Sequence, residues 1–265
     1  MAQNHAESSF LSQLIQSGDA EGEERFTNKW SAMSLYTAGA DTTVSSLACF
    51  FLAMTITPSI QVKAQAELDR VIGASRLPTI EDRDQLPYIE AIVKEVLRWH
   101  PVAPMALPHL STEDDVIEGY YIPKDTMIFA NVWHFTHDPA IYADPHTFNP
   151  DRFLGEVPEP DPHTVAFGFG RRICPGRILA DNALFLNIAQ SLSVFSISKA
   201  KDAAGNDIEP VVKFLPGVVS HPAPFVNSIK PRSAHHEAMI RSLERKYPWK
   251  ESDWATVEQS YRDKA

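Results

Sequence analysis

The chain has 265 residues, 44% hydrophobic and 22% charged, with a formal net charge of −10. These proportions belong to a folded globular protein and exclude collagen, coiled coil and a mainly disordered state. The acidic balance also argues against a nucleic-acid-binding surface. Two cysteines cannot build a disulfide framework, which points to a reducing compartment or to cysteine used for chemistry. The longest apolar stretch, residues 47–56, is shorter than the ~20 residues of a membrane helix, and the start Met1-Ala2-Gln3-Asn4-His5 lacks an apolar segment. The chain therefore reads as soluble and cytoplasmic.

Residues 1–26 are polar and acidic, a surface lead-in. From 27 to 57 no proline intervenes, and Trp30, Met33, Leu35, Tyr36, Leu47, Phe50, Phe51 and Met54 predict a long, largely buried helix. Thr27 would cap it and Pro58 would end it. Its middle, Ala38-Gly39-Ala40-Asp41-Thr42-Thr43, contains a glycine, an acid and two β-branched residues that a helix built for stability alone would avoid. A second helix is expected from Pro58 to Gly73. A third runs from Pro87 to Pro101, with Ile89, Ile92, Val93, Val96 and Leu97 on one face.

Short strands are expected at 116–117, 120–122 and 127–132, with Pro123-Lys124-Asp125 as a turn. The proline-rich stretch 138–163 predicts an ordered, winding surface segment. A loop rich in glycine and arginine, 167–176, then feeds a helix from about 177 to 194. Strand-like pieces around 211–214 and 225–229 precede a charged, peripheral tail over 233–265. The fold class is mainly α with small β-sheets (α+β), with one domain over 27–232.

The strongest chemical signal is Phe167-Gly168-Phe169-Gly170-Arg171-Arg172-Ile173-Cys174-Pro175-Gly176, with the spacing F-x-x-G-x-R-x-C-x-G. At average residue usage, five fixed types would occur by chance in such a chain on the order of 10⁻⁴ times or less. Glycines such as Gly168 and Gly176 let backbone pass close to a large flat ligand. Cys174 precedes a helix N-terminus, where the dipole and free N–H groups favour thiolate. Arg172 is suited to charge-assisted hydrogen bonds with a carboxylate at the ligand's edge. The competing interpretation is a structural cysteine in a glycine-rich turn. Cys49, inside an apolar run, is a core residue.

This loop resembles the haem-thiolate signature of the cytochromes P-450, and the order of the other motifs agrees. The resemblance implies haem b (iron protoporphyrin IX) as cofactor and Cys174 as the axial ligand of its iron. It makes Arg172 a propionate contact and packs Phe167 near the sulfur. Ala38, Gly39, Asp41 and Thr42 match the family's distal helix, in which a Thr hydroxyl diverts a backbone carbonyl and opens a groove. Asp41 and Thr42 would relay protons there, a general-acid role; alone, the hexapeptide fits a helix-packing contact equally well. Glu95 and Arg98, at i and i+3, look like a buried structural pair joined by Arg152 from Phe148-Asn149-Pro150-Asp151-Arg152-Phe153. Glu67 and Arg70 repeat the spacing and read as a solvated helix pair.

By position, His109 would contact a haem propionate, or be a plain loop histidine. Segments 102–107 and 215–219 resemble substrate-lining stretches and are apolar, so the substrate should be lipophilic. Arg171, Arg172 and Arg177 form a basic island that would face an acidic redox donor or serve only haem and fold.

The resemblance spans residues 26–233, is fungal in flavour at Lys94-Glu95-Val96-Leu97-Arg98-Trp99-His100-Pro101, and corresponds to the C-terminal half of the family's fold. The membrane anchor, the first sheet strands and a W-x-x-x-R propionate helix have no match here. A full-length relative is expected at the endoplasmic reticulum membrane. The implied activity is monooxygenation: one atom of O2 inserted into a small lipophilic substrate, with electrons from NAD(P)H through an NADPH-cytochrome reductase or similar donor. A peroxide-driven variant is compatible with the same residues. The alternative is a truncated, non-catalytic haem-binding fragment or interaction module. Expressed alone, the chain is expected to be poorly soluble and to bind haem weakly at most.

Overall fold

The computed structural model describes residues 9–16 and 22–249. After the short helix α1 (Phe10–Gln16), α2 runs from Gly22 to Ile56. It starts five residues before the expected Thr27 cap, with Glu23 and Glu24 in its first turn, where the helix dipole favours acids. The expectation of a largely buried helix is also corrected. Only the part after Val44 is buried, while Trp30 is 49% and Tyr36 73% exposed. By length and composition α2 is apolar enough to cross a membrane, against the expectation that no segment would be. Its C-terminal third is nevertheless the centre of the core.

Pro58 opens α3 (Pro58–Val71) and Pro87 opens α4 (Pro87–Trp99), as predicted. Prolines at these positions lose no intrahelical bond, because the first N–H groups of a helix have no partner in it. Two strands, β1 (His109–Leu110) and β4 (Met127–Ile128), pair antiparallel. Between them β2 (Asp115–Ile117) and β3 (Tyr120–Ile122) form a hairpin. Its two turn residues, Glu118 at φ +52° and Gly119 at φ +83°, are both left-handed, which matches the right-handed strand twist.

The strand expected over 127–132 stops at Ile128. Asn131 instead caps α5 (Val132–His137), accepting from the His134 N–H at 3.0 Å. The proline-rich segment contains a 3-10 turn (Pro150–Phe153) and α6 (His163–Ala166). It is less superficial than expected, because Tyr142, Phe148 and Arg152 are buried.

After α7 (Arg177–Val194) the chain enters β5 (Phe195–Lys199), which pairs antiparallel with β6 (Asn227–Pro231) and sets Ile197 opposite Ile229. The strand expected at 211–214 reduces to an isolated bridge between Phe214 and Pro222. Sequence reading missed β5 because it follows α7 with no glycine or proline between them. The tail contains α8 (Ala234–Lys246), capped by Ser233 and packed on α7 and β6, with no buried residue.

One core joins α2, α3, α4, α7 and β5 through Phe50, Leu68, Ile89, Phe185, Ile188 and Ile197. Each such fully buried side chain contributes roughly 1.5–3 kcal/mol of transfer free energy. Gln61 clips β5 to α3, donating to the Ile197 carbonyl and accepting from its N–H, both at 2.7 Å.

Candidate functional site

Two of the motifs, residues 38–42 and the Cys174 loop, lie where α2 and α7 leave this core. Both helices bury their C-terminal portions and expose their N-terminal ones, including the Asp41–Thr42 turn of α2 and Ile178 and Leu179 of α7. The core thus fixes both helices and leaves their motif-bearing ends outside it.

On α2, Thr42 Oγ1 donates to the Ala38 carbonyl at 2.8 Å. That is the diversion expected of a helical threonine, and a Cβ built on neighbouring Gly39 would meet nothing within 4 Å. Asp41 turns to His221, with Oδ1 3.1 Å from Nε2. The motif reading gave no signal for this partner, which lies far along the chain.

The cysteine loop is built on three backbone features. Gly168 (φ +81°) and Gly170 (φ +57°) adopt left-handed conformations that strain any other residue. The Cys174 N–H donates to the Phe167 carbonyl at 2.8 Å, closing the loop. The Arg177 N–H donates to the Cys174 carbonyl at 3.3 Å, and Gly176 caps α7. Cys174 is half-buried, and a Cβ on Gly176 would sit 3.9 Å from its Sγ.

Arg172, in the 3-10 turn Gly170–Arg172, is exposed and takes no ion-pair partner among the described residues; Arg171 and Arg177 share that condition. Phe167 packs on the core and stacks on His163. His109 lies exposed in β1 opposite Ile128. Cys49 is fully buried, and burial pushes its thiol up to about 12, as befits an inert core residue.

Glu95, Arg98 and Arg152 come together as expected. Arg98 donates to both Glu95 oxygens at 2.7 Å, and Arg152 Nε lies 3.2 Å from Glu95 Oε2. Burial pushes the Glu95 carboxyl upward, opposed by Arg98, the Asn149 N–H and Arg152. The cluster recruits partners that sequence did not disclose: Glu159, 2.6 Å from Arg152, and the carbonyls of Thr136 and Pro145, to which Arg98 donates.

The expectation for Glu67 and Arg70 is corrected. Glu67 is buried and accepts from the N–H groups of Tyr88 (3.0 Å) and Ile89 (3.1 Å). A side chain from α3 thereby caps α4, whose own preceding residue, Leu86, supplies no capping group. Beside Phe167, His163 bridges Asp161 (2.6 Å) and Asp181 (2.9 Å). Burial opposes its charge, but these two carboxylates outweigh it and push its pKa up to about 9.

The Cytochrome P450 family model matches residues 1–226. The cytochrome P450 monooxygenase claR of Ampulloclitocybe clavipes is 54% identical over 88% of this chain and 44% of its own length. The O-methylsterigmatocystin oxidoreductase of Aspergillus flavus is 45% identical over 92% of this chain and 46% of its own length. Among solved structures, a zebra fish cytochrome P450 with abiraterone matches at TM-score 0.74 and 32% identity. That match covers 87% of this chain and 56% of that one. The chain belongs to the cytochrome P450 family. It spans about half the length of the curated relatives it matches.

Members of this family bind haem b, and the residues present fit that group. Among the described residues no three His, Cys, Asp or Glu side chains gather to hold a bare metal ion. A lone, half-buried cysteine instead suits an iron that brings its own ring of four nitrogens and takes one soft axial ligand from the protein. A Cβ at Gly168 or Gly170 would meet nothing within 4 Å, so the loop's glycine face is open.

Proposed function

We propose that this chain carries the haem-thiolate portion of a monooxygenase that inserts one atom of O2 into a small lipophilic organic substrate, with electrons from NAD(P)H through a reductase. The observation that carries this reading is the Cys174 loop, where a half-buried thiol, left-handed glycines and a helix start are combined. Bound there, haem would supply the reductive activation of O2. Cys174 Sγ would hold the iron, and exposed Arg172 would face a propionate. Phe167 and Gly176 would wall the sulfur, and His109 would meet the ligand's edge from β1.

On α2, the Thr42 hydroxyl is oriented by its bond to the Ala38 carbonyl, which leaves its lone pairs free to accept. Asp41 beside it would hold and deliver protons through its carboxylate oxygens. The basic island of Arg171, Arg172 and Arg177 would steer an acidic redox donor. Exposed Leu107, Leu215 and Val218 on the two apolar segments favour a lipophilic substrate. Full-length relatives would work at the endoplasmic reticulum membrane.

The test joins this chain to the upstream half of the Ampulloclitocybe clavipes relative, supplies reductase and NADPH, and follows isotopically labelled O2. One labelled oxygen per product is expected, with none from the Cys174→Ser form. A haem-loaded, reducible protein that only consumes NADPH across a panel of lipophilic substrates would overturn the reading.

A further inference from the structure

The α2 helix meets the loop over residues 214–222 at two points one helical turn apart. Asp41 Oδ1 lies 3.1 Å from His221 Nε2. Ser45, four residues on and so on the same face, donates from Oγ to the Ser220 carbonyl at 2.7 Å. Ser45 and Ser220 are both buried.

The loop is tied on its other side as well. The Ser220 N–H donates to the Val102 carbonyl at 2.8 Å; its hydroxyl donates to the Leu215 carbonyl at 2.8 Å and lies 2.9 Å from His100 Nε2. The Leu215 N–H donates to the His221 carbonyl at 2.7 Å, and the Phe214 ring stacks on His100 at 3.5 Å between centroids. At the tip, a Cβ on Gly217 would fall 2.9 Å from the Val219 carbonyl oxygen, so the turn closes only on glycine. Residues 214–222 are therefore a fixed platform that presents the His221 ring to Asp41.

We propose that His221 is a positioning residue for Asp41: its Nε2, 3.1 Å from Oδ1, pairs with one carboxylate oxygen, keeping the carboxyl in one orientation beside Thr42 and tying it to the 214–222 platform. The proposal rests on the reading of Asp41 as the distal acid. The same platform exposes Leu215 and Val218, so a molecule pressing on that apolar tip bears on the element that holds the acid.

Amide hydrogen exchange of Leu215 and Ser220 in the whole chain, without haem, reads the contact directly. His221→Phe and Asp41→Ala should each speed exchange about two- to five-fold, the range of a partly exposed charge-assisted pair, and the double variant no more than either single one. His221→Gln keeps an N–H donor and should stay near the parent rate. In the haem-loaded, reductase-coupled form joined to its relative's upstream half, His221→Phe should raise peroxide release per NADPH, and His221→Gln should restore it. Unchanged or fully additive exchange rates would overturn the contact, whatever Asp41 does. Altered exchange with peroxide release unmoved by both Asp41→Ala and His221→Phe would instead sink the acid reading, and the positioning role with it.

Discussion

Arg98 grips Glu95 from one helical turn away, with both guanidinium–carboxylate contacts at 2.7 Å and neither side chain exposed to solvent. A buried pair of this kind is weak evidence of net stabilisation, but breaking it leaves an uncompensated charge in the core. Glu95→Ala is expected to destabilise the fold by about 3–5 kcal/mol, because it strands the buried Arg98 and leaves Arg152 with Glu159 alone. Arg98→Lys should recover little, since one ammonium cannot reproduce the fork that also donates to the Thr136 and Pro145 carbonyls. Urea unfolding followed by circular dichroism measures both.

Glu67 predicts a contrast within one motif. Glu67→Ala removes the acceptor for two N–H groups at the start of α4 and should cost about 1–3 kcal/mol. Arg70→Ala should stay within about 0.5 kcal/mol. Equal effects from the two would show that the α3 pair, and not the cap of α4, is what matters.

The two regimes of histidine set opposite limbs of stability against pH. His163, pushed up to about 9, contributes stability that is fully present below its unfolded pKa of ~6.5 and is lost as pH rises through 9. The loss should be about 2 kcal/mol and should vanish in His163→Gln. Burial pushes His100 and His137 down to about 4, so both weaken the fold as pH falls from ~6.5 towards 4. Thermal melts across pH 4–10 should trace a dome, and His163→Gln should flatten only its alkaline side.

Much of the fold was legible because local chemistry dictated it. Pro58 and Pro87 opened their helices, and α7 follows from the run after Gly176. The misses share a cause. Trp30, Met33 and Tyr36 carry core-like residue types, but among the described residues only the short helix α1 packs along that part of α2 and leaves them about half or more exposed, and burial is a property of neighbours rather than of sequence. The cysteine loop and the Glu95–Arg98 pair were visible as short motifs. Glu67 with Tyr88, and Asp41 with His221, were not, because each joins segments that only the tertiary fold brings into reach.

The Thr42 hydroxyl supplies a test of proton delivery that is independent of haem ligation. Thr42→Ala removes the bond to the Ala38 carbonyl and the hydroxyl with it. In the reductase-coupled form joined to its relative's upstream half, it should divert NADPH consumption from product to peroxide by about 10-fold or more while substrate still binds. Unchanged coupling would assign the groove to packing.

The ferrous–CO spectrum of the chain, loaded with excess haem, bears most directly on the ligand. The Cys174 loop predicts a strongly red-shifted Soret band that Cys174→Ser abolishes. Cys49→Ser should leave the band in place, because that thiol is buried and held protonated. The same red-shifted band in all three proteins would contradict Cys174 as the axial ligand.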